Sequence, residues 1–206
     1  MKIGTGVVSF TLAVAVLPGA GRDRDDNPKA PCPAITLKVW NEAQLDDQIL
    51  LGTKKETTEM LGRTGVRLVW VDCAAGIVDS TSLNPCRRDG RSVDFRLHIT
   101  TYKPPFATRE MLGYSDPGGT AAVYYPAVAK LSKSYRVAAP QILSAAIIHE
   151  VGHLILGANA HTPQGVMRAH WGLEQFRLIE AGELDFARDQ AKLLRAEVKR
   201  RLSEQP

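Results

Sequence analysis

His149-Glu150-Val151-Gly152-His153 is the stretch on which the reading of this chain turns. On a helix, side chains four residues apart leave the same face one turn apart. His149 and His153 can then offer two neutral imidazole nitrogens to one point, two corners of a tetrahedral zinc site. The carboxylate of Glu150, beside the first histidine, is placed to take a proton from water activated by such a metal. The flanks fit a helix. Pro140 suits a first helical turn, where its missing N–H has no partner anyway. Residues 141–156 read Q-I-L-S-A-A-I-I-H-E-V-G-H-L-I-L, apolar on almost every face, so the segment belongs in a core. Two histidines and a glutamate are costly there unless something pairs with them. A metal facing a cleft would be that partner; core hydrogen bonds are the plainer alternative.

Gly157, tolerant of positive φ, ends the helix. His161 lies beyond the reach of the same helix face, but a chain that turns back at Gly157 can bring it to the metal as a third ligand. Gln164-Gly165-Val166-Met167 reads as a tight turn carrying a methionine. These residues resemble the metzincins, zinc peptidases that combine H-E-x-x-H-x-x-G-x-x-H with a methionine turn beneath the metal. This chain departs from that pattern. It reads H-E-V-G-H-L-I-L-G-A-N-A-H, one residue longer before the glycine and one longer after it, so the family's third histidine position holds Asn159. The expectation is a longer helix and a wider loop, with His161 closing the site. The rival third ligand is a downstream carboxylate, Glu174 or Glu180, as in thermolysin-like enzymes; each also fits a solvated helix face.

The order of elements is read separately. Residues 34–40 (A-I-T-L-K-V-W) alternate as a strand. Residues 42–61 carry Leu45, Ile49, Thr53, Thr57 and Met60 at helical spacing, ended by Gly62 and Gly65. Strands are expected at 67–71, 93–100, 111–115 and 120–125, followed by the zinc helix. His98 shares a strand face with Asp94 and Arg96 and is expected in solvent. Ala187, Ala191, Leu194, Val198 and Leu202 form a helical stripe near the end of the chain. Metzincin catalytic domains have this order. The resemblance therefore implies an α+β, zincin-like fold: a twisted, mixed five-stranded sheet packed on the active-site helix, with a C-terminal helix. Leu112, Gly113, Tyr114 and Ser115, running into Asp116-Pro117-Gly118-Gly119, are similar to the matrixin edge strand that lines the cleft and pairs with substrate backbone. Some metzincins carry a tyrosine two residues after the methionine; here Ala169 stands there and His170 follows, expected at the surface. Trp171 and Phe176 are expected as core anchors.

Composition bounds the remainder. The 206 residues allow one domain, residues 34–206, with a sizeable core. Met1-Lys2, an apolar run over 7–17 and Pro18-Gly19-Ala20 have the plan of a secretory signal peptide, 1–20; the run is short for a membrane span, so an uncleaved anchor is the lesser alternative. Residues 21–33, charged and proline-rich, are expected as a flexible leader. Export makes Cys73 and Cys86 a candidate disulfide, with Cys32 unpaired or intermolecular. The net charge of +4 is modest, and the basic residues Lys192, Arg195, Lys199, Arg200 and Arg201 lack stacking aromatics, so a solvated helix face is expected and no nucleic-acid partner. The expectation is a secreted or periplasmic zinc endopeptidase acting on peptides or proteins. It would use one catalytic zinc held by His149, His153 and His161, with Glu150 as general base, and insert stably in no membrane after signal removal. A zinc-binding recognition module without turnover is the alternative from another class.

Overall fold

The computed structural model describes residues 32–74, 84–87, 92–108 and 110–204. The expected signal peptide and residues 21–31 of the leader lie outside them. In chain order the elements are β1 (Ala34–Asn41), α1 (Asp47–Gly62), β2 (Arg67–Cys73), β3 (Asp94–Thr100), β4 (Gly113–Asp116), β5 (Thr120–Tyr124), α2 (Tyr125–Tyr135), α3 (Ala139–Leu156), α4 (Leu173–Ala181) and α5 (Arg188–Ser203). The five strands form one mixed sheet in the order β2-β1-β3-β5-β4. β2, β1, β3 and β5 run parallel; β4 lies antiparallel to β5 and forms an edge. The class is α+β.

Alternation fixes which strand face is buried. Ile35, Leu37 and Val39 of β1 and Phe95, Leu97 and Ile99 of β3 enter one core with Ile142, Leu143, Ile147, Ile148 and Val151 of α3. α3 is thus the central helix, and its apolar composition is that of a core element. α1 packs beside it, where the Ser144 hydroxyl lies 2.9 Å from the Thr53 carbonyl oxygen.

α1 begins later than its stripe suggests. Asn41 and Leu45 exchange two hydrogen bonds of 3.0 Å, and Gln44 adopts φ +51°, so this segment is a turn. The Asp46 side chain then caps the helix by accepting from the Ile49 N–H at 2.8 Å. α2 stands where no helix was expected, α4 carries the Glu174 and Glu180 that had fitted a solvated helix face, and both helices flank α3. His98, expected in solvent, is partly covered: Trp40, its register partner on β1, stacks on it at 5.0 Å, and Glu42 lies 2.7 Å from its Nδ1. Cys73, at the end of β2, is bonded to Cys86, and the Cys32 thiol is free and exposed.

Candidate functional site

α3 carries His149, Glu150 and His153 and stops at Gly157, which takes φ +92°. The Gly157 N–H bonds to the His153 carbonyl at 2.8 Å, and the Ala160 N–H reaches back to the Gly157 carbonyl at 3.3 Å. That turn returns His161 to the helix. The three Nε2 atoms then form a triangle: 3.2 Å from His149 to His153, 3.0 Å from His153 to His161 and 3.3 Å from His161 to His149. Two of the rings are oriented from behind. Nδ1 of His149 lies 2.8 Å from the Val166 carbonyl, and Nδ1 of His153 lies 3.1 Å from the Gly157 carbonyl. A carbonyl only accepts, so Nδ1 carries the proton and the Nε2 lone pair faces the triangle. Burial lowers the His149 pKa to about 4, and His153 and His161 nearby add to the effect, while the Val166 hydrogen bond opposes it. The His161 pKa is also lowered, first by burial, then by His153 and His170. Glu174 and Glu180 are exposed on α4 and outside the cluster; Glu174 faces Arg168 at 3.9 Å.

Glu150 points from α3 toward the sheet edge. It is 7% exposed. Burial pushes its carboxyl up to about 7, against a hydrogen bond from the Ser115 side chain. Gly113 gives it room: a Cβ there would stand 3.1 Å from Glu150 Oε1 and 2.5 Å from the Ala122 carbonyl oxygen. β4 therefore turns Gly113 and Ser115 toward α3. Just before the strand, the Leu112 carbonyl accepts from the Tyr124 N–H at 2.8 Å. Leu112, Gly113, Tyr114 and Ser115 all line the same cleft as the histidines. Tyr124 lies behind this edge, its hydroxyl buried with no hydrogen-bond partner among the described residues. Its pKa is pushed up to about 12, by burial first, then by Tyr114 and Glu150, so it stays neutral.

Met167 is fully buried in a turn made by Gly165 at φ +76° and an Arg168 N–H bonded to the Gly165 carbonyl at 3.2 Å. Its sulfur fills the space over Gly152, where any Cβ would collide with it. The Val166 carbonyl accepts from both His149 and Trp171, so this turn reaches the cluster through the backbone. Trp171 packs against the core, as expected, and also lines the cleft, with its ring edge-on to His149 at 6.0 Å. Phe176 is a core residue, 3% exposed. The cleft holds about 890 Å³. Between α2 and α4 it includes a mostly apolar recess lined by Ala127, Lys130, Leu131, Tyr135 and Phe176. Tyr135 stacks on Phe176 at 3.7 Å.

A solved structure similar to this chain is the crystal structure of Archaemetzincin (amzA) from Methanopyrus kandleri. It is 18% identical, covers 81% of this chain and 95% of its own, and superimposes with a TM-score of 0.48. No protein-family model matches the chain, and no curated protein sequence matches it.

What the site can hold follows from its own donor set. With Zn–N bonds of about 2.0–2.1 Å, the edges of a tetrahedral zinc site are about 3.3–3.4 Å. The observed Nε2 triangle is close to that size. The His149 and His153 lone pairs converge with His161 Nε2 on one point, where a cation would satisfy all three. The donor set and its size fit zinc, and among the described residues these three histidines are the group able to hold a metal. The recess residues of α2 went unread in the sequence, and Phe176 was read only as a core anchor. Leu131 and Tyr135 stand four apart, but α2 is only 11 residues long and buries only Val128.

Proposed function

We propose that this chain is an exported, zinc-dependent endopeptidase of the metzincin type, with a zincin-like fold. The Nε2 triangle of His149, His153 and His161 carries the reading, because a shared cation would hold three imidazole nitrogens that converge to within 3.0–3.3 Å of one another. These three would hold one zinc, with Met167 beneath them as the methionine turn. A zinc ion there supplies Lewis acidity toward water and toward a carbonyl oxygen. The chain's own groups do the rest. Glu150 takes a proton from the attacking water and passes it to the leaving nitrogen as the C–N bond breaks. The Ser115 side chain holds the Glu150 carboxylate in place. The edge β4 can pair with an extended backbone, and the recess between α2 and α4 takes an apolar side chain. The Cys73–Cys86 bond supports export, since such bonds persist in oxidising compartments. Arg200 is paired at the surface with Glu197 and Glu204, and Arg201 is largely covered, paired with Glu197 and bonded to the Ile155 carbonyl, which supports a structural use of these cations over a nucleic-acid patch.

Glu150→Gln is the test. Gln keeps the shape but accepts no proton, so the variant should retain one zinc per chain and cleave an unfolded protein about 10²–10⁴-fold more slowly. Equal cleavage by the two zinc-loaded proteins would remove Glu150 as the base. Zinc binding by both with cleavage by neither would favour the recognition module.

A further inference from the structure

The geometry points to Gln190, in the first turn of α5, as the positioning residue for His161. The inference rests on the three-histidine reading of the site. The loop that carries His161 is one residue longer on each side of its glycine than the resembling family's, so the helix end alone fixes it less. Gln190 grips it on both sides of the ligand. Its Nε2 donates to the Ala160 carbonyl at 2.6 Å, and its Oε1 lies 3.2 Å from the Thr162 hydroxyl. Ala160 and Thr162 are the two neighbours of His161 in the chain. The Thr162 hydroxyl is shared with the Gln164 carbonyl at 2.8 Å, and the Thr162 N–H bonds to the Met167 carbonyl at 3.1 Å. The loop is thereby tied to α5 on one side and to the methionine-bearing turn on the other.

Gln190 is 7% exposed, on a helix otherwise rich in charge. A buried amide needs partners for both its ends, and these two atoms supply them. The orientation is forced: rotating the amide by half a turn would set Oε1 against the Ala160 carbonyl oxygen, acceptor on acceptor. His149 and His153 have backbone carbonyls behind their rings, whereas His161 is exposed and follows an exposed stretch, 157–159. Its place in the triangle depends on the loop's backbone, and Gln190 sets that backbone. Residues that orient metal ligands typically change affinity about 10–100-fold when removed.

Gln190→Met keeps the side chain's length and bulk and removes both hydrogen bonds. Purified Gln190→Met should bind zinc about 10–100-fold more weakly than wild type in a chelator competition. Its cobalt-substituted form should show a weaker visible absorption, as four-coordinate geometry is lost. The metal-free variant should still unfold cooperatively, a readout that a purely structural loss would move. Gln190→Glu, which keeps an acceptor for Thr162 but sets a second acceptor against the Ala160 carbonyl, should weaken zinc at least as much. His161→Ala is the reference. If His161→Ala loses zinc affinity while Gln190→Met and Gln190→Glu bind like wild type, the positioning role is overturned and the three-histidine site stands. If His161→Ala binds zinc like wild type, the three-histidine reading falls and takes this inference with it.

Discussion

Gly113 is where the sheet meets the proposed general base. Its missing side chain lets β4 lie against Glu150 while keeping its ladder to β5. Gly113→Ala would place a methyl group 2.5 Å from the Ala122 carbonyl oxygen and 3.1 Å from Glu150 Oε1. The backbone cannot yield easily, so β4 moves out or the carboxylate turns. Zinc content should be unchanged, and turnover of an unfolded protein should fall about 10²-fold, the usual result of a displacement near 1 Å in an active site. Gly62→Ala is the control, since no atom lies within 4 Å of a Cβ there. Wild-type turnover in Gly113→Ala would mean that the edge strand does not set Glu150. At this scale the sequence exposed the proposed ligands but not their supports. His149, Glu150 and His153 share one helix turn, so spacing alone joins them. Ser115 was read as part of the cleft's edge strand but not as a partner of Glu150, 35 positions away, and nothing local marks Gln190, 29 positions from His161.

At the level of elements, α5 is tied to the last turn of α3 by more than its apolar stripe. Nη2 of Arg201 donates to the Ile155 carbonyl at 2.8 Å, and Glu197 holds the Arg201 guanidinium at 2.8 Å. Hydrogen bonding from Arg200 first, then Arg201, pulls the Glu197 carboxyl down to about 2. The folded state therefore favours the ionised form. Its contribution is full above the ordinary carboxylate pKa and disappears as pH falls through about 2. Solvent screening keeps it on the order of 1 kcal/mol. Glu197→Gln should lower the urea midpoint at about pH 7 and match wild type at about pH 2. A gap of equal size at both pH values would assign the effect to packing. The long elements were legible because they repeat: β1 and β3 alternate over whole strands, and Thr53, Thr57 and Met60 mark the buried face of α1. α2 was not, and α4 was legible only as a solvated face for Glu174 and Glu180. α4 spans nine residues and buries Gln175, Phe176 and Ile179, too few turns for a period to show. Yet these short helices shape the recess, so the part of the site that would select a side chain was the least visible in the sequence.

For the molecule as a whole, the disulfide is set apart from the chemistry. Cys73 ends β2, the strand at the sheet edge opposite β4. Its partner lies 13 residues on, and closing a loop of this length typically stabilises a fold by about 3 kcal/mol. Cys73→Ser with Cys86→Ser should lower the unfolding free energy by about 2–3 kcal/mol and leave zinc content at one per chain. Denaturant melts and metal analysis on the same preparation check both halves. Loss of zinc from the still-folded double variant would show that the bridged loop takes part in the site.

The contacts from Gln190 to Ala160 and Thr162 also set a timetable. Synthesis runs from the N-terminus, so all three histidines leave the ribosome before the residue that steadies the last of them. At about 5–20 residues per second, the 29 residues from His161 to Gln190 take about 1.5–6 s. During that interval a growing chain owns the complete ligand set but not the loop geometry. Metal captured then would be held loosely and exchange quickly, and tight retention would begin only when α5 docks. The finished fold, rather than the emerging ligands, decides when the ion is kept.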